Sequence, residues 1–253
     1  MRHEKLAGIV TAMPEESRAV LQLASGKKKC VAGGLPVYEG VLNGTPFFLV
    51  ESGMGVAASS RAAEALISLA NPSFLLSVGF CGAIREGAQV ADLVVCGSML
   101  SHGTTGIREI DIRDGRKTAA RISSALMAAG LRAWTGSFIT AEGIVRKKEI
   151  SGLLSEEIKT PVLEMESSAV LAVANRSGIP FAGIRSVSDP WDEELDFSIE
   201  DFTDENMRVN ISKVIGCCIR RPGIIPQLAR LASNSSRAAK TLGRGVSILL
   251  PLV

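Results

Sequence analysis

Between Leu163 and Asp189 the chain passes from an apolar stretch into an alanine-rich segment and out through a second apolar stretch. It opens with Leu163-Glu164-Met165-Glu166-Ser167-Ser168 and closes with Ile184-Arg185-Ser186-Val187-Ser188-Asp189. The periodicity predicts strand, helix, strand, with a helix over 167–177 stopped by Gly178. Ligands of α/β sheets bind where strands end. A carboxylate is costly to bury there unless something uses it, so Glu166 and Asp189 are the first candidates for a site. Asp189 precedes Pro190, which holds it extended.

The same alternation runs through most of the chain. Leu6–Ala12 reads as a buried strand, and Pro14 fits the first turn of a helix with Glu15 and Glu16 at its positive end. Val37–Leu42 and Phe47–Glu51, joined by Asn43-Gly44, read as a hairpin. Ser52-Gly53-Met54-Gly55 turns into a helix over 56–70. Strands are expected at 74–78, 92–96, 134–140, 161–165 and 180–188, and a helix at 119–129. His102 falls in a Gly/Ser-rich loop and reads as a surface residue. The fold class implied is α/β, a mixed, mostly parallel central sheet flanked by helices. No internal repeat is visible.

Charge divides the chain. Of 28 basic and 26 acidic residues, 206–253 hold eight Lys/Arg and no Asp or Glu, so 1–205 are net negative. We therefore expect an α/β domain over 1–205 and a basic helical extension over 206–253. Residues 207–219 read as a helix of the body. A second helix over 222–244 carries a stripe of Ile224, Leu228, Leu231, Ala238 and Leu242. That stripe either packs on the domain or meets a membrane surface or partner. From Asp189 to Glu205 there are nine acidic residues and no basic one, a solvated loop or a lid.

Five cysteines, an odd number, with no Cys-x-x-Cys and only two histidines, argue against a disulfide framework and a zinc site. A reducing cytoplasm is the simplest setting. Met1–Met13 has the outline of a short signal peptide, but Pro14-Glu15-Glu16 ends the apolar run and no small-residue cleavage site follows. Gly53-x-Gly55 and Gly79-x-x-Gly82 do not complete a dinucleotide fingerprint and read as tight turns between strand and helix. No cofactor, metal or nucleic-acid partner is expected.

Glu164-Met165-Glu166 before an alanine-rich helix, and Ile184-Arg185-x-x-Ser188-Asp189 after it, resemble the purine nucleoside phosphorylase and nucleosidase superfamily. The nearest pattern is that of the methylthioadenosine/S-adenosylhomocysteine nucleosidases. Gly8–Glu16, Ser52-Gly53-Met54-Gly55 and Val78-Gly79-Phe80-Cys81-Gly82 match further turns of that family, and Thr140–Val145 matches its purine-side loop. The resemblance covers about residues 6–215 and implies a nucleoside phosphorylase-like fold, a small-molecule nucleoside substrate and a homodimer.

The resemblance also implies roles. Asp189 would protonate or hydrogen-bond the purine N7, and Glu16 would activate the attacking water. Glu166 would hold the ribose hydroxyls, with Met165 against the sugar. Val145 would offer its backbone to the purine edge, and Ile144 stands where an aromatic residue usually stacks. Glu164, Met54, Phe80 and Ser188 fall in the same motifs and, like Arg185, are expected to bind the substrate. Bacterial phosphorylases place an arginine and a serine in the turn matched here by Ser77–Phe80; without them a phosphate dianion would be poorly paired. Water is therefore the expected nucleophile, with Arg185 as the one candidate anion ligand. The tail further suggests a hopanoid-associated member acting on an adenosylated lipid, with peripheral membrane contact through 222–253. Two other readings stand beside hydrolysis: a phosphate-dependent phosphorylase, and a non-catalytic nucleoside- or lipid-binding protein.

Overall fold

A computed structural model of the chain describes residues 5–193, 220 and 222–253. The second half of the acidic run, the helix expected over 207–219, and Cys217 and Cys218 lie outside the described residues. The elements are β1 (Ala7–Thr11), α1 (Pro14–Leu21), β2 (Ser25–Ala32), β3 (Leu35–Leu42), β4 (Thr45–Glu51), α2 (Val56–Ala70), β5 (Phe74–Ala83), β6 (Leu93–Gly103), β7 (Gly106–Ile110), α3 (Gly115–Ala128), β8 (Ala133–Ala141), α4 (Lys147–Leu153), β9 (Pro161–Glu164), α5 (Ser167–Ser177), β10 (Phe181–Asp189) and α6 (Ile225–Leu249), the last preceded by a 3₁₀ turn at Pro222–Ile224.

The sheet is mixed and runs β10-β6-β8-β9-β5-β1-β4-β3-β2, with β7 paired to β6. Because β10 also pairs with β5, the strands β5, β10, β6, β8 and β9 close into a ring. The remaining strands extend from β5 as an open wing. β1, β4, β5 and β10 are mutually parallel, so their C-terminal ends share one edge. β9 runs antiparallel to β5, which brings the start of α5 back to that edge.

Strands that read as unbroken apolar runs are buried on both faces. Ile9 and Leu76 face one core with Val20, Ile122, Leu242 and Val246. Their neighbours Val10 and Leu75 face a second core with Ala62, Leu66, Val170 and Val173. α1, α3 and α6 thus cover one side, and α2 and α5 the other. Local chemistry sets the helix ends. α2 stops at Asn71 in the left-handed conformation, with Pro72 next, and α5 stops at Gly178, also left-handed.

Two expectations need correction. Gly79 and Gly82 are not turn residues but lie within β5, which continues to Ala83. His102 is not in a loop: β6 extends to Gly103 and pairs with β7 as a hairpin, His102 opposite Ile107. β2, which was not among the expected strands, is an exposed edge strand on β3. Of the two readings of the C-terminal stripe, packing on the domain holds for its second half: Ala238 and Leu242, with Val246 and Leu249, are fully buried in the first core, while Leu228 and Leu231 are half-buried. A Cβ at Gly243 would stand 2.3 Å from the Ala19 carbonyl oxygen, so α6 lies directly on α1. Among the described residues no helix is long and apolar enough to cross a bilayer.

Candidate active site

Glu16 is the third residue of α1, and its geometry follows from that place. Its Oε2 reaches back to accept the N–H groups of Ala12 (2.8 Å) and Met13 (3.0 Å), capping the helix. Oε1 is thereby left to cross to β5, where it accepts the Phe80 N–H at 2.8 Å. The side chain is buried, and burial raises its pKa above the ordinary carboxylate value, against the lowering effect of Arg185 and of the Phe80, Met13 and Ala12 N–H groups.

Glu164 ends β9 and does different work from that expected. Its side chain is inaccessible to solvent. Oε2 accepts from Arg185 Nη2 at 2.5 Å, the Ser167 N–H at 2.8 Å and the Glu166 N–H at 3.1 Å. Oε1 takes the Thr140 hydroxyl. With these four donors Glu164 caps α5 and has no capacity to meet a ligand. It is a positioning carboxylate, and its work is to present Glu166.

Glu166 is the residue so presented. Oε1 accepts the Gly55 N–H at 2.9 Å, from the glycine turn that opens α2. Oε2 lies 3.3 Å from the Met165 N–H and 3.6 Å from Arg185. Burial first, then the charge of Glu164, push its pKa up to about 7, with Glu16 adding to the rise and Arg185 and the Gly55 N–H opposing it. Met54, in that turn, and Met165 are half-buried beside it.

Arg185 is the counter-ion of the cluster. It is 2% exposed, with Nη2 shared among Glu164, Ser77 Oγ (3.1 Å) and Ser167 Oγ (3.0 Å). Nη2 is thus engaged with protein groups, whereas the buried Nε has no hydrogen-bond partner among the described residues. Gly79 makes the approach of β5 to the cluster feasible: a Cβ there would stand 2.6 Å from Glu16 Oε1 and 2.8 Å from Arg185 Nη1.

Asp189 ends β10 just past a bulge at Ser188, which shifts the register so that Asp189 stands opposite Gly82. The missing side chain at Gly82 makes room, since a Cβ would lie 3.1 Å from Asp189 Oδ2. The partner that the sequence did not disclose is Lys147, the first residue of α4. It is buried, and its ammonium lies 3.0 Å from Asp189 Oδ2 and also donates to the Pro190 carbonyl. Within Arg146-Lys147-Lys148 it looked like one more solvated cation; only its i,i+3 spacing to buried Ile150 hinted otherwise.

The structure brings Glu16, Glu166, Arg185 and Asp189 to one end of the parallel strands. Burial raises the pKa of the nearby Cys81 thiol, Arg185 lowers it, and Glu164, Asp189 and Glu16 raise it. Phe80 contributes its backbone N–H, while its ring belongs to the first core. Val145 packs its side chain with Ile84, Leu100 and Ile150, leaving its backbone, and Ile144 is exposed.

The family model of the phosphorylase superfamily matches residues 7–220. The chain belongs to that superfamily. Relatives of this superfamily member include the 5'-methylthioadenosine/S-adenosylhomocysteine nucleosidase of Actinobacillus succinogenes, 24% identical over 221 residues that cover 83% of this chain and 96% of that one. The enzyme of the same name from Haemophilus influenzae is 24% identical over 77% of this chain and 90% of its own. Among solved structures, the Helicobacter pylori nucleosidase bound to butyl-thio-DADMe-Immucillin-A aligns with a TM-score of 0.75 at 18% identity, covering all of both chains. The futalosine hydrolase of Helicobacter pylori aligns with a TM-score of 0.74 at 17% identity, again over all of both chains. These likenesses establish the fold, and the aligned span includes α6.

Proposed function

We propose that this superfamily member hydrolyses the N-glycosidic bond of a purine nucleoside, of the kind named for its relatives, and releases the free base. One observation carries the reading: three buried carboxylates, Glu16, Glu164 and Glu166, gather around a single guanidinium. Breaking a glycosidic bond develops positive charge on the sugar. A pocket with an excess of fixed negative charge is complementary to that state rather than to the neutral substrate.

Glu166 would accept the two ribose hydroxyls, as only a carboxylate with free lone pairs can. Glu16 would take a proton from water as its oxygen closes on the anomeric carbon. Asp189 would pass a proton to N7, so that the carbon–nitrogen bond breaks toward a neutral base. Water supplies the hydroxyl gained by the sugar, and solvent restores the two carboxyl groups to their starting states.

Water is favoured over phosphate because Arg185 Nη2 is already shared by Glu164, Ser77 and Ser167, and Lys147 is paired with Asp189. A phosphate dianion brought to this cluster would meet the buried carboxylates of Glu16, Glu164 and Glu166. Incubation with methylthioadenosine, S-adenosylhomocysteine, adenosine and inosine, followed by chromatography for free base, is expected to show release without phosphate. A strict requirement for phosphate would replace hydrolysis by phosphorolysis; no release under either condition would leave a binding protein.

The raised pKa of Glu166 gives a second expectation. Hydroxyl donors need the ionised carboxylate, so KM should fall as the pH is raised through about 7. Glu166→Gln should raise KM roughly 10-fold to 100-fold, the worth of a hydrogen bond to a charged group, and flatten this dependence. Steady-state kinetics between about pH 6 and 8 checks both; a KM that rises with pH in the wild type would refute the assignment.

A further inference from the structure

The geometry points to Lys147 as a positioning residue for departure of the base, acting through Asp189; this rests on the hydrolytic reading above. Lys147 is the first residue of α4 and is buried. Two of its donors go to consecutive residues of another element, the Asp189 carboxylate at 3.0 Å and the Pro190 carbonyl. A lysine that merely balanced charge would need only the first. Contact with both fixes the carboxylate and the peptide that carries it, and Pro190 restricts the backbone at the same point. Gly82 closes the arrangement, since a Cβ there would stand 3.1 Å from Asp189 Oδ2 and 3.5 Å from Lys147 Cδ.

The ammonium lies against Oδ2 of the acid. When a proton passes from Asp189 to N7, a carboxylate is left behind, and Lys147 stabilises it in place. The charge map then follows the reaction. Carboxylates in excess of Arg185 lie at the sugar, where cation develops, and an ammonium backs the acid at the base, where anion develops. None of the sequence motifs includes this position.

Lys147→Met removes the charge and keeps much of the length. With a purine nucleoside, kcat is expected to fall about 100-fold, the scale of general acid catalysis, while KM moves less than about threefold. With 4-nitrophenyl riboside, whose leaving group needs no proton, the loss should stay below about threefold. Lys147→Arg should recover part of kcat. In an Asp189→Asn background, Lys147→Met should cost nothing further, because the residue through which it acts has been disabled.

Equal losses on both substrates would mean a structural role only, and additive losses with Asp189→Asn would mean an independent one; either overturns the inference. An unchanged kcat for Lys147→Met in an active enzyme overturns it as well and leaves hydrolysis standing. A wild-type protein that releases base from no nucleoside sinks the hydrolytic reading, and this assignment falls with it.

Discussion

Asp189→Asn is expected to abolish release of free base while leaving the fold and nucleoside binding in place. The amide occupies the same volume at the end of β10 and still accepts from Lys147 through its oxygen, so the tertiary cost is small. What it cannot do is give up a proton and become an anion. Proton donation to a leaving group contributes about 10²–10⁴ in rate, and a purine expelled as an anion is a poor leaving group. The measurement is single-turnover base release by chromatography, beside equilibrium binding of the same nucleoside. Binding within about threefold of wild type, with kcat lower by at least about 100-fold, is the expected result. Turnover like that of wild type would remove Asp189 from the mechanism. Loss of binding as well would make it a ribose or base anchor instead.

Arg185→Met should be the most destabilising single change in the site. The side chain is almost wholly buried, and its guanidinium is the partner of Glu164 at 2.5 Å and lies 3.6 Å from Glu166. Methionine fills much of the volume but leaves Glu16, Glu164 and Glu166 without a counter-ion. Breaking a buried pair by removing one member costs about 3–5 kcal/mol. In a chain of this size each kcal/mol lowers Tm by about 2–4 °C, so a fall on the order of 10 °C is expected by calorimetry. The sign of the pH dependence follows from Arg185 lowering the pKa of both Glu16 and Glu166. Without it these carboxyls hold their protons to higher pH, and their burial as anions is what penalises the fold. The deficit relative to wild type should therefore shrink as the pH falls and grow as it rises. A deficit below about 1 kcal/mol at neutral pH would show that the carboxylates are satisfied by their backbone donors alone.

Some parts of the site were legible because one residue type can do the job. Glu16 at the third position of a helix opened by Pro14, and Asp189 held extended by Pro190, are local statements, and both survive in three dimensions. Glu164 was misread as a substrate contact because spacing cannot say which of two carboxylates, two residues apart, turns inward. That was decided by Thr140 and Arg185, which come from β8 and β10 and supply donors to Glu164. Spacing likewise could not show that Arg185 Nη2 is shared by Glu164, Ser77 and Ser167. Lys147 was invisible for the opposite reason. A lysine between two other basic residues carries no local sign of burial, and its partner lies more than forty residues away.

By itself the amino-acid sequence determined the alternation of strand and helix, the aliphatic core buried on both faces of the sheet, the glycine turn before α2, and the acidic residues placed at element ends. These depend on side-chain periodicity and backbone preference within a few residues. Only the tertiary structure decided the closure of β5, β10, β6, β8 and β9 into a ring, the reversed direction of β9, the inward face of α6, and the pairing of each carboxylate with its cation. Strand direction and ion pairing are settled by which distant groups can be satisfied at once in a water-poor interior, a competition that no local window contains.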